Sequence, residues 1–328
     1  MSEEQQSCGQ HRKQLMLFNS VPGKGHESAT DPLVHYGRHF GRMVHALCNF
    51  QALLTNGILQ MGGLAEIPDE NFTAEERCKH HIFQELLKSV AGLEERLMQG
   101  GDDEVDLITE LLTKGTSGAR GDDTKSLKGS VLDWITPKGQ SLVPPLTRNV
   151  KIDWGFHHEW TGALLCPAGL DWSNLDGEML VTGDQWPLFL YADYHYDLED
   201  PWNGLFQSTL LAYKYVFTSP SSVDREPKAT FSGNARIHRM TRVTLPSIAY
   251  ISMQVYMVTD SERFYNSILD IFEDPDEKQE VDELVVWWNR QIFPLYSTAQ
   301  RPLVKNSTLA RIRERRARMK KSVPGVAA

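Results

Sequence analysis

Apolar residues recur at alternating steps of three and four through residues 31–61, and this pattern predicts a long amphipathic α-helix. Asp31 can cap the first turn, and Pro32 suits the first helical position because its missing N–H needs no partner there. A stripe this long needs several partner helices to cover it, so we expect a helical core assembled on this element. The stripe consists of Leu33, Tyr36, Phe40, Met43, Leu47, Phe50, Leu54, Gly57 and Met61.

A capping box predicts where the second helix begins. Thr73 is followed three residues later by Glu76, whose side chain can reach back to the amide of the capping residue. Gly92 is expected to bend this helix. Its apolar stripe is Ile82, Leu86, Val90, Leu93 and Leu97.

Glycine and acidic residues divide the next stretch into two predicted helices. A short helix over residues 103–114 is expected to end at Gly115, since glycine is the usual residue just past a helix. A following helix is predicted to start at Asp122 or Asp123 as its cap and to close before Pro137.

Asp-Pro pairs predict two later helices, one from residue 200 to the proline at 220 and one from residue 274 to the proline at 294. The stretch 188–196 fits either a short strand or the start of a helix. Helices are also predicted over residues 246–258 and 261–272.

The sequence as a whole predicts a mainly all-α protein, a single irregular helical bundle over residues 31–296. Within it, residues 136–184 are rich in tryptophan and proline and are interpreted as a long loop region that packs against the bundle. Residues 1–30 are interpreted as a disordered N-terminal segment, and residues 297–328 as a basic, largely disordered tail.

Composition points to an intracellular protein, nuclear or cytoplasmic. The chain has 328 residues, of which 41% are hydrophobic, and no apolar run is long enough to span a membrane. The four cysteines stand far apart without a Cys-x-x-Cys pair, which favours reduced thiols over a disulfide framework or a zinc site.

Charge is unevenly distributed along the chain. Residues 311–321 carry seven cations and one anion, a net charge of +6, so the remaining chain carries −15 against the −9 of the whole. This basic tail suits a nuclear-import signal, a nucleic-acid contact or an acidic protein surface; alternatively it is solvated without a specific partner or is held by the acidic body of its own chain. Its cations are Arg311, Arg313, Arg315, Arg316, Arg318, Lys320 and Lys321.

Four sets of motifs resemble an uncharacterised domain family that is expanded in mushroom-forming basidiomycete fungi. The resemblance covers residues 34–294 and implies no activity, ligand or catalytic residue. The motifs are residues 36–40 with 46–49, residues 122–128, residues 183–187 with 200–206, and residues 287–293.

The same resemblance raises a question about the completeness of the chain. Similar sequences run longer between residues 172 and 177 and between residues 254 and 259, which suggests a gene model with missing exon ends. Sequencing the transcript tests this hypothesis, because reads that join the codons as they stand here would reject it.

Two histidine-containing clusters are the candidate sites for chemistry. If residues 193–197 are extended, their period of two places Asp193, His195 and Asp197 on one face. Together with His157 and His158 they offer the ingredients of a general base or a metal site. The alternative is that the neighbouring tyrosines pack inward while these polar residues face water.

Other candidate chemistry is weaker. His35 and His39 lie one helical turn apart, but Arg38 and Arg42 on the same face would repel a metal ion, so a solvated or interhelical polar face is predicted. Cys48 lies beside the apolar stripe and is interpreted as a buried, inert thiol.

These observations leave three functional hypotheses. The first is a non-enzymatic intracellular binding or regulatory protein, without a cofactor, whose basic tail serves nuclear import or contacts an anionic partner. The second is an enzyme of unknown reaction, with or without a metal ion, centred on the two histidine clusters. The third is a degenerate or mis-spliced family copy without function. An enzyme needs those side chains to converge in one concave site, whereas a binding protein does not.

Overall fold

A computed structural model of the chain describes residues 32–63, 73–137, 139–147, 150, 152–172, 185–214, 242–256 and 260–293. The predictions for residues 1–30, for the two junctions at 173–177 and 257–259, for the helix ends at 220 and 294 and for the basic tail lie outside these ranges. Within them the fold is mainly α-helical, as the sequence predicts, and no β-strand is present.

Ten α-helices are described in these ranges, and they are joined by turns and short 3₁₀ segments. In chain order they are α1 (Pro32–Met43), α2 (Phe50–Gly63), α3 (Ala74–Ser89), α4 (Leu93–Gln99), α5 (Asp102–Ile135), α6 (Glu159–Leu165), α7 (Thr209–Lys214), α8 (Leu245–Tyr256), α9 (Ser261–Glu273) and α10 (Lys278–Ile292).

The buried apolar side chains form two clusters. The N-terminal cluster joins α1 to α4 with the first half of α5 and is centred on Phe40, Phe50 and Phe83. The C-terminal cluster joins the second half of α5 with α6 to α10 and includes Tyr250 and Trp288. Helices α1 and α5 contribute residues to both clusters, so they connect the two halves of the bundle.

The prediction of a single helix over residues 31–61 is wrong in one respect, because the structure divides this stretch into α1 and α2. The intervening turn is fixed by α8 and α9, since Tyr265 accepts a hydrogen bond from the Ala46 amide and Thr244 donates one to the Met43 carbonyl. Asn49 then caps α2 by accepting from the Ala52 amide. The stripe still faces inward, with no more than 7% exposure at Leu33, Phe40, Met43, Phe50 and Leu54.

The two helices predicted over residues 103–137 are one continuous helix, α5, of 34 residues. Gly115 does not end it, because α1 packs so closely there that only glycine fits. Asp122 and Asp123 are not caps, because they lie mid-helix and bind Arg38 and Arg42 of α1. Tertiary contacts therefore override the local stop signals.

The capping box before α3 is confirmed. Thr73 Oγ1 accepts from the Glu76 amide at 3.2 Å, and Glu76 Oε2 accepts from the Thr73 amide at 2.8 Å. The expected bend at Gly92 is a break, with Gly92 at φ 77° in the left-handed region between α3 and α4.

The helix predicted to start at residue 200 is also wrong, because residues 201–206 form turns and α7 begins only at Thr209. These turns are held by contacts to distant residues: Trp202 Nε1 donates to Glu277 Oε2 at 2.6 Å, and the Gly204 carbonyl accepts from the Ala192 amide. The helices predicted over residues 246–258, 261–272 and from 274 onward are confirmed within the described residues as α8, α9 and α10, the last preceded by one 3₁₀ turn.

Tryptophans in and just after the middle segment contact the bundle. Trp160 of the segment donates from Nε1 to the Ile135 carbonyl at 3.2 Å. Trp186, which follows the segment, donates from Nε1 to Ser267 Oγ at 3.2 Å. Helix α6 lies within this segment, which the sequence did not predict. Outside α6, the described residues of 136–172 are turns, short 3₁₀ turns and irregular backbone. None of the described helices combines the length and the apolar character that crossing a membrane requires.

Candidate functional site

The structure separates the histidines of the first predicted cluster. His157 is exposed, whereas His158 is only 2% exposed and serves the local fold. His158 Nδ1 accepts from the Trp160 amide at 3.1 Å and so caps α6, while its Nε2 lies 2.8 Å from the Pro144 carbonyl. Both ring nitrogens of the buried histidine are therefore occupied by backbone groups.

The second predicted cluster does not form an extended strand. Residues 188–194 make two 3₁₀ turns, and Asp193 and Tyr194 lie in the left-handed region at φ 51° and 57°. The expected alternation of faces is therefore absent. Asp193 and His195 are exposed, and Asp197 accepts from the Glu199 amide. No three His, Cys, Asp or Glu side chains of the described ranges are grouped so that they can hold a metal ion.

The polar face predicted for α1 is only partly solvated. Arg38 pairs with Asp122 at 2.7 Å near the surface, but Arg42 is buried and paired with Asp123. His35 is exposed, and His39 lines a cleft that also includes residues of α3. Burial raises the pKa of Cys48 to about 12, which agrees with the predicted inert thiol.

The structure instead presents a cleft of about 660 Å³ between the two hydrophobic clusters. One wall is α3 of the N-terminal cluster, and the facing wall is α9 of the C-terminal cluster. The floor is the end of α1 with the turn after it, and the residues that lead into α8 close one end. Clefts at the junction of two packed units are favoured positions for ligand sites.

Ionisable side chains line both walls, since α3 and α9 each have polar residues that face the cleft. On α3, Cys78, His81 and Glu85 follow at steps of three and four, opposite the apolar stripe that α3 packs on the core. On α9, Asp270 and Glu273 lie one turn apart. Arg242, His39 and His45 complete the ionisable lining.

Glu273 is an exposed residue of the cleft whose carboxyl pKa is raised. Partial burial raises its pKa and the nearby Asp270 carboxylate raises it further, while His81 and a contact from Cys78 act in the opposite direction. Cys78 Sγ lies 3.9 Å from Glu273 Oε1, and burial together with this carboxylate raises the pKa of the thiol. Cys78 is therefore a protonated neighbour of the carboxylate rather than a thiolate nucleophile.

His45 lies at the floor of the cleft with its ring edge against Tyr265, at a centroid distance of 5.4 Å. Burial lowers its pKa, so the imidazole is neutral at pH 7. Its Nδ1 is shielded from solvent and has no hydrogen-bond partner among the described residues.

Sequence reasoning did not identify this cleft, although part of the signal was present. The polar stripe of Cys78, His81 and Glu85 can be read from the spacing within the capping-box helix. The pairing of that stripe with Asp270 and Glu273 cannot, because it depends on how two helices nearly 200 residues apart in the sequence pack.

The fold and cleft define a mainly α-helical protein in which a groove with apolar and ionisable lining lies between two hydrophobic clusters. The chain belongs to a family described as a family of unknown function, DUF6698, whose match covers residues 114–293, more than half of the sequence. The matched region starts within α5 and extends to the end of α10, so it includes the α9 wall of the cleft. No curated protein and no solved structure matches the sequence.

Proposed function

We propose that this protein is a non-enzymatic intracellular binding protein that takes a small ligand into the cleft and contacts an anionic partner through its basic tail. The observation that carries the proposal is the cleft itself, a concave site where ionisable groups from α1, α3 and α9 face one another. Perturbed ionisable groups gathered in a cleft are typical of functional sites.

Free thiols support a nuclear or cytoplasmic location. Cys48, Cys78 and Cys166 are all unpaired in the structure, and reduced cysteines suit the reducing compartments of the cell. The resemblance of the motifs adds the inference that the chain comes from a mushroom-forming basidiomycete fungus.

Blocking the cleft is expected to abolish ligand retention. Asn266 is an exposed cleft residue, so Asn266→Trp fills the groove without disturbing the core. After incubation with a small-molecule extract of the source cells, native mass spectrometry should detect a mass adduct on the unchanged protein and at least a tenfold lower adduct fraction on this variant. Gln279→Trp, at an exposed position of α10, is the control and should retain the adduct.

Two outcomes would contradict the cleft as the ligand site. An adduct that persists equally in Asn266→Trp and Gln279→Trp would place the ligand elsewhere on the protein. Unchanged protein that retains nothing from any fraction of the extract would reject ligand binding itself.

The tail is expected to bind polyanions in a salt-dependent manner. Binding of the seven cations within residues 311–321 to phosphates releases counterions from the DNA. A plot of log affinity for duplex DNA against log salt concentration should therefore have a negative slope whose magnitude does not exceed about 6. Changing four tail cations to glutamine should reduce that slope by about 3 to 4 units, measured by fluorescence anisotropy. The four are Arg315, Arg316, Lys320 and Lys321.

A four-for-four control separates the tail from the general surface. The control changes four exposed lysines of the helical body to glutamine and should leave the slope unchanged. These are Lys79, Lys88, Lys125 and Lys278. Equal losses in both variants would show non-specific binding. Nuclear entry of a fluorescent fusion, compared with and without residues 311–328, tests the import version of the same proposal.

A further inference from the structure

We infer that an aromatic groove at the surface of the C-terminal cluster is the docking surface for the basic tail of the same chain, through residues 309–321. The inference goes beyond the proposed function, because it gives the tail a binding surface on its own molecule. It follows from the lining of the groove, from the charge of the sequence that builds it, and from the composition and reach of the tail.

The aromatic groove has a volume of about 430 Å³ and a lining without charged side chains. Four aromatic side chains contribute to this lining, and only one of the four, Tyr191, is fully buried. Grooves lined by tryptophan and tyrosine bind peptide segments through apolar burial and bind cationic side chains through cation–π contact. The four aromatic residues are Trp186, Tyr191, Tyr196 and Trp202.

Contacts within the protein hold the groove in shape. The Ala168 amide donates to the Trp186 carbonyl at 2.8 Å, and this hydrogen bond joins two of the segments that line the groove. Trp186 Nε1 donates to Ser267 of α9. Trp202 Nε1 donates to Glu277 in the turn before α10. Both indole rings are therefore anchored before anything binds, which lowers the entropic cost of docking a segment on them.

The sequence that supplies most of this groove carries charge of one sign. Residues 152–213 contain ten Asp and Glu residues and no Lys or Arg. Three of these acids lie in residues 197–200, which connect the lining residues Tyr196 and Pro201 and therefore border the groove. A surface of one sign attracts segments of the opposite charge and disfavours segments of its own charge. The partner that fits this groove is therefore a basic one.

Exposed leucines extend the apolar surface beyond the aromatic rings. Leu170 lines the groove and is 47% exposed. Leu198 is 74% exposed and lies beside Gly169, the residue that precedes Leu170. Large apolar side chains exposed together beside a groove are typical of a protein interaction site. The segment that docks here should therefore carry apolar residues as well as cations.

The tail has both properties. Five of its seven cations within residues 311–321 are arginines, whose planar guanidinium groups stack on aromatic rings. Leu309, Ile312 and Met319 are interspersed with these cations, and they can bury apolar surface against the groove and its exposed leucines.

The tail can reach the groove within one molecule. Glu277, which contacts Trp202, immediately precedes α10, and Phe293 immediately follows it, so about 22 Å of helix separates the groove from the segment that leads to the tail. Residues 294–308 can span up to about 50 Å when extended. Tethering gives the tail an effective concentration on the order of millimolar at the groove, which favours it over a separate basic protein.

Photo-crosslinking of the full chain tests the inference. With p-benzoylphenylalanine in place of Ile312, we expect crosslinks within one chain to residues 167–170, 185–191 and 196–205, mapped by mass spectrometry. Crosslinks made chiefly in the cleft between α3 and α9, or spread evenly over the body, would overturn the inference. A crosslinked dimer as the main product would assign the groove to the tail of a second copy and would also overturn it.

A matched pair of variants localises the docking. Leu198→Arg places a cation at the edge of the groove and should lower the crosslink yield at least fivefold. Leu59→Arg makes the same change at a position of α2 that is 61% exposed, and the yield should change less than twofold. Both positions are exposed, so neither change disturbs the core. Equal losses in the two variants would contradict docking at the groove, because the tail would then respond only to the overall charge of the body.

The groove and an anionic partner compete for the same cations of the tail. Saturating duplex DNA should therefore lower the crosslink yield at least fivefold, and an unchanged yield with DNA bound would contradict the use of these cations in the groove. Failure of the proposed function is distinguishable from failure of the inference. If the groove crosslink forms but fluorescence anisotropy detects no DNA binding, the anionic partner is wrong and the inference stands. If DNA binds and no groove crosslink forms, the inference fails and the proposed function stands.

Discussion

Asparagine in place of Asp123 is expected to lower the free energy of unfolding by about 3 to 5 kcal/mol, because it leaves the buried guanidinium of Arg42 without a counter-charge. Arg42 Nε and a terminal nitrogen donate to the two oxygens of Asp123 at 2.8 and 2.9 Å, and the Tyr250 hydroxyl donates to the same carboxylate at 2.6 Å. The paired side chains are only 5% and 7% exposed. Urea denaturation measures the loss.

The size of this effect follows from the chemistry of Arg42. Burial by itself lowers the pKa of an arginine, but the hydrogen bonds and charge of Asp123 outweigh burial and raise the pKa of Arg42. A guanidinium is not deprotonated in proteins, so Arg42 keeps its proton when its partner is removed, and an uncompensated charge remains in the core. Total stabilities of about 5 to 15 kcal/mol are usual, so the variant is expected to be marginally folded.

The neighbouring residue supplies a matched control. Asp122 precedes Asp123 on α5 and pairs with Arg38 of α1 at 2.7 Å, but its side chain is 57% exposed. The same Asp→Asn change at Asp122 should cost less than about 1 kcal/mol, because solvent screens a surface pair. Equal losses at the two positions would mean that burial does not set the energy of the Arg42–Asp123 pair.

A double variant separates the cost of a stranded charge from the value of the pair. Arg42→Met with Asp123→Leu removes both charges and leaves the Tyr250 hydroxyl without this acceptor. This variant should be more stable than the sum of the two single changes predicts, by at least about 2 kcal/mol. Strict additivity would show that Arg42 and Asp123 do not act as a unit.

The first two helices show what apolar periodicity can and cannot predict. The stripe from Leu33 to Leu54 gives the buried face correctly because burial follows from spacing alone. The division into α1 and α2 does not follow, because the stripe continues through the turn, and only Asn49 marks the new start. Asn49 can be recognised in the sequence as a possible helix cap, but the apolar pattern continues past it without interruption and favours a single helix.

The prediction for helix α5 failed for the opposite reason, since local sequence signals indicate a helix end that the structure does not have. Gly115 and the Asp122–Asp123 pair resemble a stop and a cap, yet both are used in contacts with α1, which lies about 80 residues earlier in the chain. Sequence patterns report local preference, and close packing of distant helices overrides it.

The candidate site was predicted less well than the fold. The histidine cluster at 193–197 depended on an extended backbone, and the left-handed conformation at Asp193 removes that premise. The cleft depends on two helices that face each other across the two clusters. Each polar stripe is visible in the sequence, but a polar stripe is also what any solvated helix face shows.

Alanine in place of Gly115 is the second large effect we expect, a loss of about 2 to 3 kcal/mol of stability. A Cβ atom at this position would lie 2.2 Å from the Val34 carbonyl oxygen and 2.9 Å from the Arg38 amide nitrogen. Both obstacles are backbone atoms of α1, so no side-chain rotation relieves the clash and the two helices must move apart. Thermal and urea unfolding measure the change.

Separation of α1 from α5 would also weaken contacts that depend on their closeness. Thr116 Oγ1 donates to the Gly37 carbonyl at 3.1 Å across the same crossing, and the Arg42–Asp123 pair lies two turns further along α5. The free energy lost through overpacking at Gly115 is therefore expected to exceed the gain of about 0.5 to 1 kcal/mol that alanine brings to a helix interior.

Gly121 of the same helix provides the control with the opposite sign. It is exposed, and a Cβ atom there meets nothing within 4 Å, so Gly121→Ala should raise the stability by about 0.5 to 1 kcal/mol. Both variants make the same chemical change within one helix, and they differ only in whether α1 occupies the space. If Gly115→Ala were also stabilising, the helices would not be in the close contact that joins the two hydrophobic clusters, and the walls of the cleft would lose their fixed separation.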